Sequence, residues 1–252
     1  MLLRARRASY YAIVGVIATI AGALSIAISA PGAAWASGGG TAAVPAKALH
    51  VTPHAPITAR TPALHYAGPV YELSLEGQLV PYVAPTAQQV LDGATGGSAV
   101  STAVALKPKL VVPGRLARLI DGLAAAPMEA PEAVKAMIWS ANEIIGLPYI
   151  YGGGHASFHA SGYDCSGTVS YALHGADLLS APEDSSELEG FGGHGVGEWV
   201  TVFANPGHAY MDVAGLRLDT SAADDPSDQQ GPRWRPLRQS NVGYRVRHPV
   251  GL

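Results

Sequence analysis

One stretch, residues 146–175, constrains this chain more than any other: GLPYIYGGGHASFHASGYDCSGTVSYALHG. It opens with turn formers and glycines, reaches the only cysteine of the 252-residue chain, Cys165, and continues as an apolar-periodic run. From Ser166 onward, Val169, Ala172 and Leu173 recur at spacings of three and four, one face of a helix. Asp164, Ser166 and Gly167 surround the thiol with turn-forming and small residues. A thiol at a helix start meets the positive end of the helix dipole and unpaired backbone N–H groups, which favour thiolate over thiol. The plain alternative is a small buried hydrophobe, the commonest role of a lone cysteine.

Composition narrows the field. A single cysteine excludes an intrachain disulfide framework and any zinc site built on several cysteines. A net charge of −3 gives no global signal for nucleic acid, and no nucleic-acid partner is expected. The N-terminus has the layout of an export signal. Arg4, Arg6 and Arg7 precede an uncharged apolar run from residue 10 to residue 30, and Ala34-Trp35-Ala36 supplies a small-x-small cleavage pattern. Residues 1–36 are therefore expected to be a signal peptide or, if uncleaved, a membrane anchor, since the run is long enough to span a bilayer. No cysteine lies near that site for a lipid anchor. Either way the bulk of the chain is expected outside the cytoplasm, secreted or associated with the cell wall, with membrane contact only through an uncleaved N-terminus.

Residues 37–69 mix Gly, Ala, Thr and Pro without a period and read as a disordered linker. Residues 70–126 read as an accessory or pro-like segment. Tyr71, Leu73, Leu79 and Tyr82 suggest a short hairpin, the 84–112 stretch is ambiguous, with a helix start at 86–91 stopped by Gly93, Gly96 and Gly97, and Leu116, Leu119, Ile120 and Leu123 suggest a short helix over 115–125. A third unit spans 127–252. Pro131 suits the first position of a helix carrying Val134, Met137, Ile138, Ala141 and Ile145, which Gly146 and Pro148 end. After the Cys165 helix, acidic residues and glycines over 183–197 read as a mobile loop, either a solvated face or a lid. Strands follow at 198–203, 208–213 and 216–220, with short strand-like pieces at 234–237 and 244–246. Helices first and antiparallel strands after make an α+β pattern.

The strands bring chemistry together. If Ala214-Gly215 is a two-residue turn, Val213 faces Leu216, Asp212 faces Arg217, and Tyr210 faces Asp219. His208, Tyr210 and Asp219 then share a face, with His208 and Asp219 as diagonal neighbours. A one-residue slip would put Thr220 there in place of Asp219. Cys165, His208 and Asp219 supply a thiolate, an imidazole to ionise it and protonate a leaving amine, and a polar group to hold the ring.

Pro148-Tyr149-Ile150-Tyr151-Gly152-Gly153, Asp164-Cys165-Ser166-Gly167 and Gly207-His208 followed by Asp219 resemble the signature of the NlpC family of cell-wall cysteine peptidases. The resemblance covers roughly residues 132–246. It implies a reduced papain-like domain, with N-terminal helices packed on an antiparallel sheet. It implies Cys165 as nucleophile, His208 as base, Asp219 as third member, and Tyr151, Asp164 and Ser166 as substrate-pocket residues. The implied substrate is the peptidoglycan stem peptide, cut between D-glutamate and the diamino acid by a monomer without metal or cofactor. Two departures stand out: the third position is usually His in the family, and Gly197-Glu198-Trp199-Val200 replaces the usual "GDLVFF". A non-catalytic wall-binding or partner-activating module and an acyltransferase on the same scaffold are the other readings. His155 and His159 lie four apart in a Gly-rich loop, and Asp224, Asp225 and Asp228 in a polar one; both groups read as loop residues before metal ligands. Arg233-Trp234-Arg235 is either a contact for anionic polymer or packing on the sheet.

Overall fold

The computed structural model describes residues 66–85 and 107–252. The expected leader, nearly all of the expected linker and the helix start at 86–91 lie outside the described residues. Among the described residues the chain is α+β, with few helices and two largely antiparallel sheets.

The first sheet has the order β2-β1-β3-β5-β4. Its strands are β1 (Tyr71–Leu73), β2 (Leu79–Pro81), β3 (Leu110–Val112), β4 (Arg118–Ile120) and β5 (Leu123–Pro127). The expected hairpin is present as β1 and β2. The expected helix over 115–125 is not: those residues form the β4–β5 hairpin. Asp121 and Gly122 sit at its tip with φ of 50° and 84°, both in the left-handed region that a two-residue hairpin turn demands. The buried Ala124, Ala125 and Ala126 are good helix formers, but strand pairing on both sides of β5 overrides that preference.

Helix α1 (Glu132–Ile144) starts one residue later than expected, with Pro131 as its N-cap. Proline there forfeits no helical hydrogen bond, because the first N–H groups of a helix have no internal acceptor. Helix α2 (Cys165–His174) and the single-turn α3 (Ser185–Leu188) follow. The second sheet then runs β10-β9-β8-β7-β11-β6, antiparallel throughout. Its strands are β6 (Gly193–His194), β7 (Val200–Asn205), β8 (His208–Val213), β9 (Leu216–Asp219), β10 (Arg233–Arg235) and β11 (Arg245–His248). The glycine-rich stretch around 190–197 is not a free loop. β6 pairs with β11, and the Gly195 N–H bonds the Val246 carbonyl at 3.0 Å.

One face of the second sheet carries the core. Val202, Ala204, Ala209, Met211, Val213, Leu216 and Leu218 pack with Val134, Met137, Ile138 and Ala141 of α1 and with Val169, Ala172 and Leu173 of α2. Val111, Ala117, Ala124 and Ala126 belong to the same cluster, so residues 107–127 share the core of the C-terminal part. Period-two alternation leaves His208, Tyr210 and Asp212 of β8, with Arg217 and Asp219 of β9, on the other side of the strands. Trp234 and Arg235 of β10 are buried, so those two members of the basic-aromatic group are packing, while Arg233 is only half-buried.

Candidate active site

Three local devices fix the start of α2. Asp164 is its N-cap, in an extended conformation, and accepts the Gly167 N–H at 2.8 Å. The Gly152–Gly154 loop lies directly across the helix start. A Cβ on Gly167 would come within 2.1 Å of the Gly153 carbonyl oxygen, so no side chain fits there. The loop is tied down by the Gly152 N–H, which donates to Asp164 Oδ2 at 2.9 Å. Cys165 is thereby the first helical residue, 8% exposed, with the positive end of a ten-residue helix beneath its sulfur.

His208 opens β8 directly after the Asn205–Gly207 turn, where Asn205 Oδ1 accepts the backbone N–H groups of Gly207 and His208 at 2.9 Å each. The β8–β9 register is the expected one: Val213 pairs with Leu216 and Asp212 with Arg217. It brings His208 Nε2 to 2.9 Å from Asp219 Oδ1. Asp219, and not Thr220, is the partner, and its side chain is fully buried. With Nε2 engaged by Asp219, Nδ1 is the ring nitrogen left to serve the Cys165 thiol.

The charges of the pair favour ionisation. Burial pushes the Cys165 thiol up. Hydrogen bonds from His208, the Ala209 N–H and Ser185, with the charge of His208, outweigh burial and bring it from 9.0 down to about 7. Burial likewise pulls the imidazole of His208 down, but hydrogen bonds to Asp219 and Cys165 and their charges raise it from 6.5 to about 9. The thiol is thus ionised above about pH 7 and the imidazole charged below about pH 9, and the thiolate–imidazolium pair occupies the window between. Alkylation of Cys165 by iodoacetamide is accordingly expected to rise with pH through a midpoint near 7. A midpoint at or above the ordinary thiol value of 9.0 would contradict the pairing.

The other expected site residues are placed differently. Asp164 and Ser166 are buried, and both meet His155, whose Nε2 lies 3.0 Å from Asp164 and 3.1 Å from Ser166 Oγ. Tyr151 is 91% exposed. Asp225 is bound to Arg235, not to a sister carboxylate. A cavity of about 610 Å³, lined by Trp199, Phe203, Asp212 and Arg238 among others, includes none of Cys165, His208 and Asp219.

Sequence reasoning misses three neighbours of the site. Ser185 Oγ stands 3.6 Å from Cys165 Sγ. Its place is set by a capping box between Asp184 and Glu187, a pattern readable as D-S-S-E. His155 reads as a loop residue, and nothing local places it against Asp164. Arg217 stands two residues before Asp219, and strand period alone puts the two on one face.

No protein-family model matches the sequence, and no curated protein matches it. What the site can do rests on its own geometry: an ionisable thiol at a helix start, an imidazole that both ionises it and can carry a proton, and a buried carboxylate that orients the ring.

Proposed function

We propose that the chain is an exported cysteine endopeptidase with a reduced papain-like domain, similar to the NlpC family, that hydrolyses peptidoglycan stem peptides between D-glutamate and the diamino acid. The observation that carries this reading is the Cys165–His208–Asp219 arrangement, with Nε2 of His208 2.9 Å from Asp219 and a thiol held near pH 7. The mixed α+β architecture, with a nucleophile-bearing helix packed on an antiparallel sheet, agrees with it.

The thiolate of Cys165 attacks the amide carbonyl carbon. The carbonyl oxygen takes the negative charge and is stabilised by N–H groups at the start of α2, which have no acceptors within the helix. Collapse of the adduct breaks the C–N bond as the His208 imidazolium gives its proton to the leaving amine. A thioester remains on Cys165. Neutral His208 then takes a proton from water, the hydroxide equivalent attacks the thioester, and the carboxylic acid leaves as the thiolate and imidazolium are restored. Asp219 holds the ring through Oδ1.

Digestion of purified peptidoglycan by the protein from Ser37 onward, beside Cys165→Ala, tests the proposal. Wild type is expected to release stem-peptide fragments whose masses identify a cut after D-glutamate, and the variant none. Equal release by both, or none by wild type, would sink it.

A further inference from the structure

The His208–Asp219 pair has a third member one step behind it. Arg217 and Asp219 both have fully buried side chains, and Arg217 Nε stands 3.6 Å from Asp219 Oδ2. The other carboxylate oxygen is occupied: Oδ1 meets His208 Nε2 at 2.9 Å and accepts the Ser221 N–H at 2.8 Å. Oδ2 has no hydrogen-bond partner, and neither Nε nor Nη1 of Arg217 has one. Two buried groups of opposite charge therefore face each other through Nε and Oδ2. A buried charge without a counter-charge is far costlier than a paired one, and a carboxylate so stranded neutralises by taking a proton.

The surroundings leave this task to Arg217. Arg235 on β10 reaches only the Asp219 backbone carbonyl, through Nε at 3.0 Å, and its head group is bound to Asp225. Arg238 lies over the rings of Tyr210 and Tyr244. Asp212, opposite Arg217 in the ladder, is buried as well, and burial raises its carboxyl to about 7, so at neutral pH it is only partly charged and competes weakly for Arg217. Arg217 itself is anchored through Nη2, which donates to the Ala223 carbonyl at 2.5 Å.

We propose that Arg217 is a positioning residue of the Cys165–His208–Asp219 relay: it supplies the counter-charge of Asp219 and, through Asp219, holds His208 where it keeps the Cys165 thiol ionised. It also accounts for how an aspartate serves at a position where the resembling family usually carries histidine. The inference rests on Cys165 as the nucleophile, but its test reads the thiol directly and does not depend on peptidoglycan being the substrate.

The test is the pH midpoint of Cys165 alkylation by iodoacetamide in four proteins: wild type, Arg217→Met, Asp219→Asn and the double variant. Arg217→Met keeps length and apolar stem but removes the charge. Its midpoint is expected to move up, with alkylation at neutral pH falling about tenfold, as for loss of an adjacent charge-stabilised partner. Arg217→Lys is expected to recover most of that loss. The double variant buries neither member of the pair as an unpaired charge, so it keeps the test alive even where Arg217→Met does not fold. Its midpoint is expected to match that of Asp219→Asn, because Arg217 acts through Asp219. A wild-type midpoint in folded Arg217→Met, or a further shift from Asp219→Asn to the double variant, would overturn the proposal. Wild type that alkylates near pH 7 yet leaves peptidoglycan intact would overturn the substrate reading and not this one.

Discussion

Replacing His208 with alanine is expected to lower turnover of a stem-peptide substrate by at least about 10⁴-fold, the order seen when one member of a nucleophile–base unit is removed. Three losses coincide. The thiol loses its strongest hydrogen-bond partner and its nearby positive charge, while burial, which opposes ionisation, remains. The leaving amine loses its proton donor. Asp219 Oδ1 is left with the Ser221 N–H alone. The alkylation midpoint of Cys165 should therefore climb from near 7 back to the ordinary thiol range or beyond. Fragment release measured beside the alkylation profile separates a lost thiolate from a lost proton donor. Turnover within tenfold of wild type would mean that His208 does not serve Cys165.

Asn142→Ala is expected to destabilise the fold by about 3–5 kcal/mol, because it strands three buried polar groups at once. Asn142 lies on α1 and is 1% exposed. Its Oδ1 accepts the Ala124 N–H at 3.0 Å and the Trp234 indole N–H at 2.8 Å, and its Nδ2 donates to the Ala124 carbonyl at 2.9 Å. One side chain thus joins the helix to β5 of the first sheet and β10 of the second. A fall in melting temperature of roughly 10 °C follows for a domain of this size. A loss under about 1 kcal/mol in urea unfolding would show that these groups find other partners or water.

The His208–Asp219 geometry is legible because it is local. Ala214 and Gly215 have φ of 46° and 90°, the two-residue turn that fixes the β8–β9 register, and the register alone brings His208 to Asp219. The same chemistry at Asp121-Gly122 was masked, because Leu116, Leu119, Ile120 and Leu123 imitate a helical stripe and alanine is the best helix former. Features that depend on distant partners left no local trace. The glycines near 190–197 read as mobile because their partner, β11, lies some fifty residues further on. The register places Arg217 opposite Asp212, but its burial depends on β9 being covered on both sides. His155 meets Asp164 and Ser166 only because the glycine loop folds back across α2.

The most direct measurement of the central claim is the mass of the intact protein in an acid-quenched reaction with a stem peptide. Acyl transfer through Cys165 predicts a transient adduct with the mass of the fragment ending in D-glutamate, mapped to Cys165 and missing from Cys165→Ala. Fragment release with no adduct at any time, undiminished in Cys165→Ala, would contradict it.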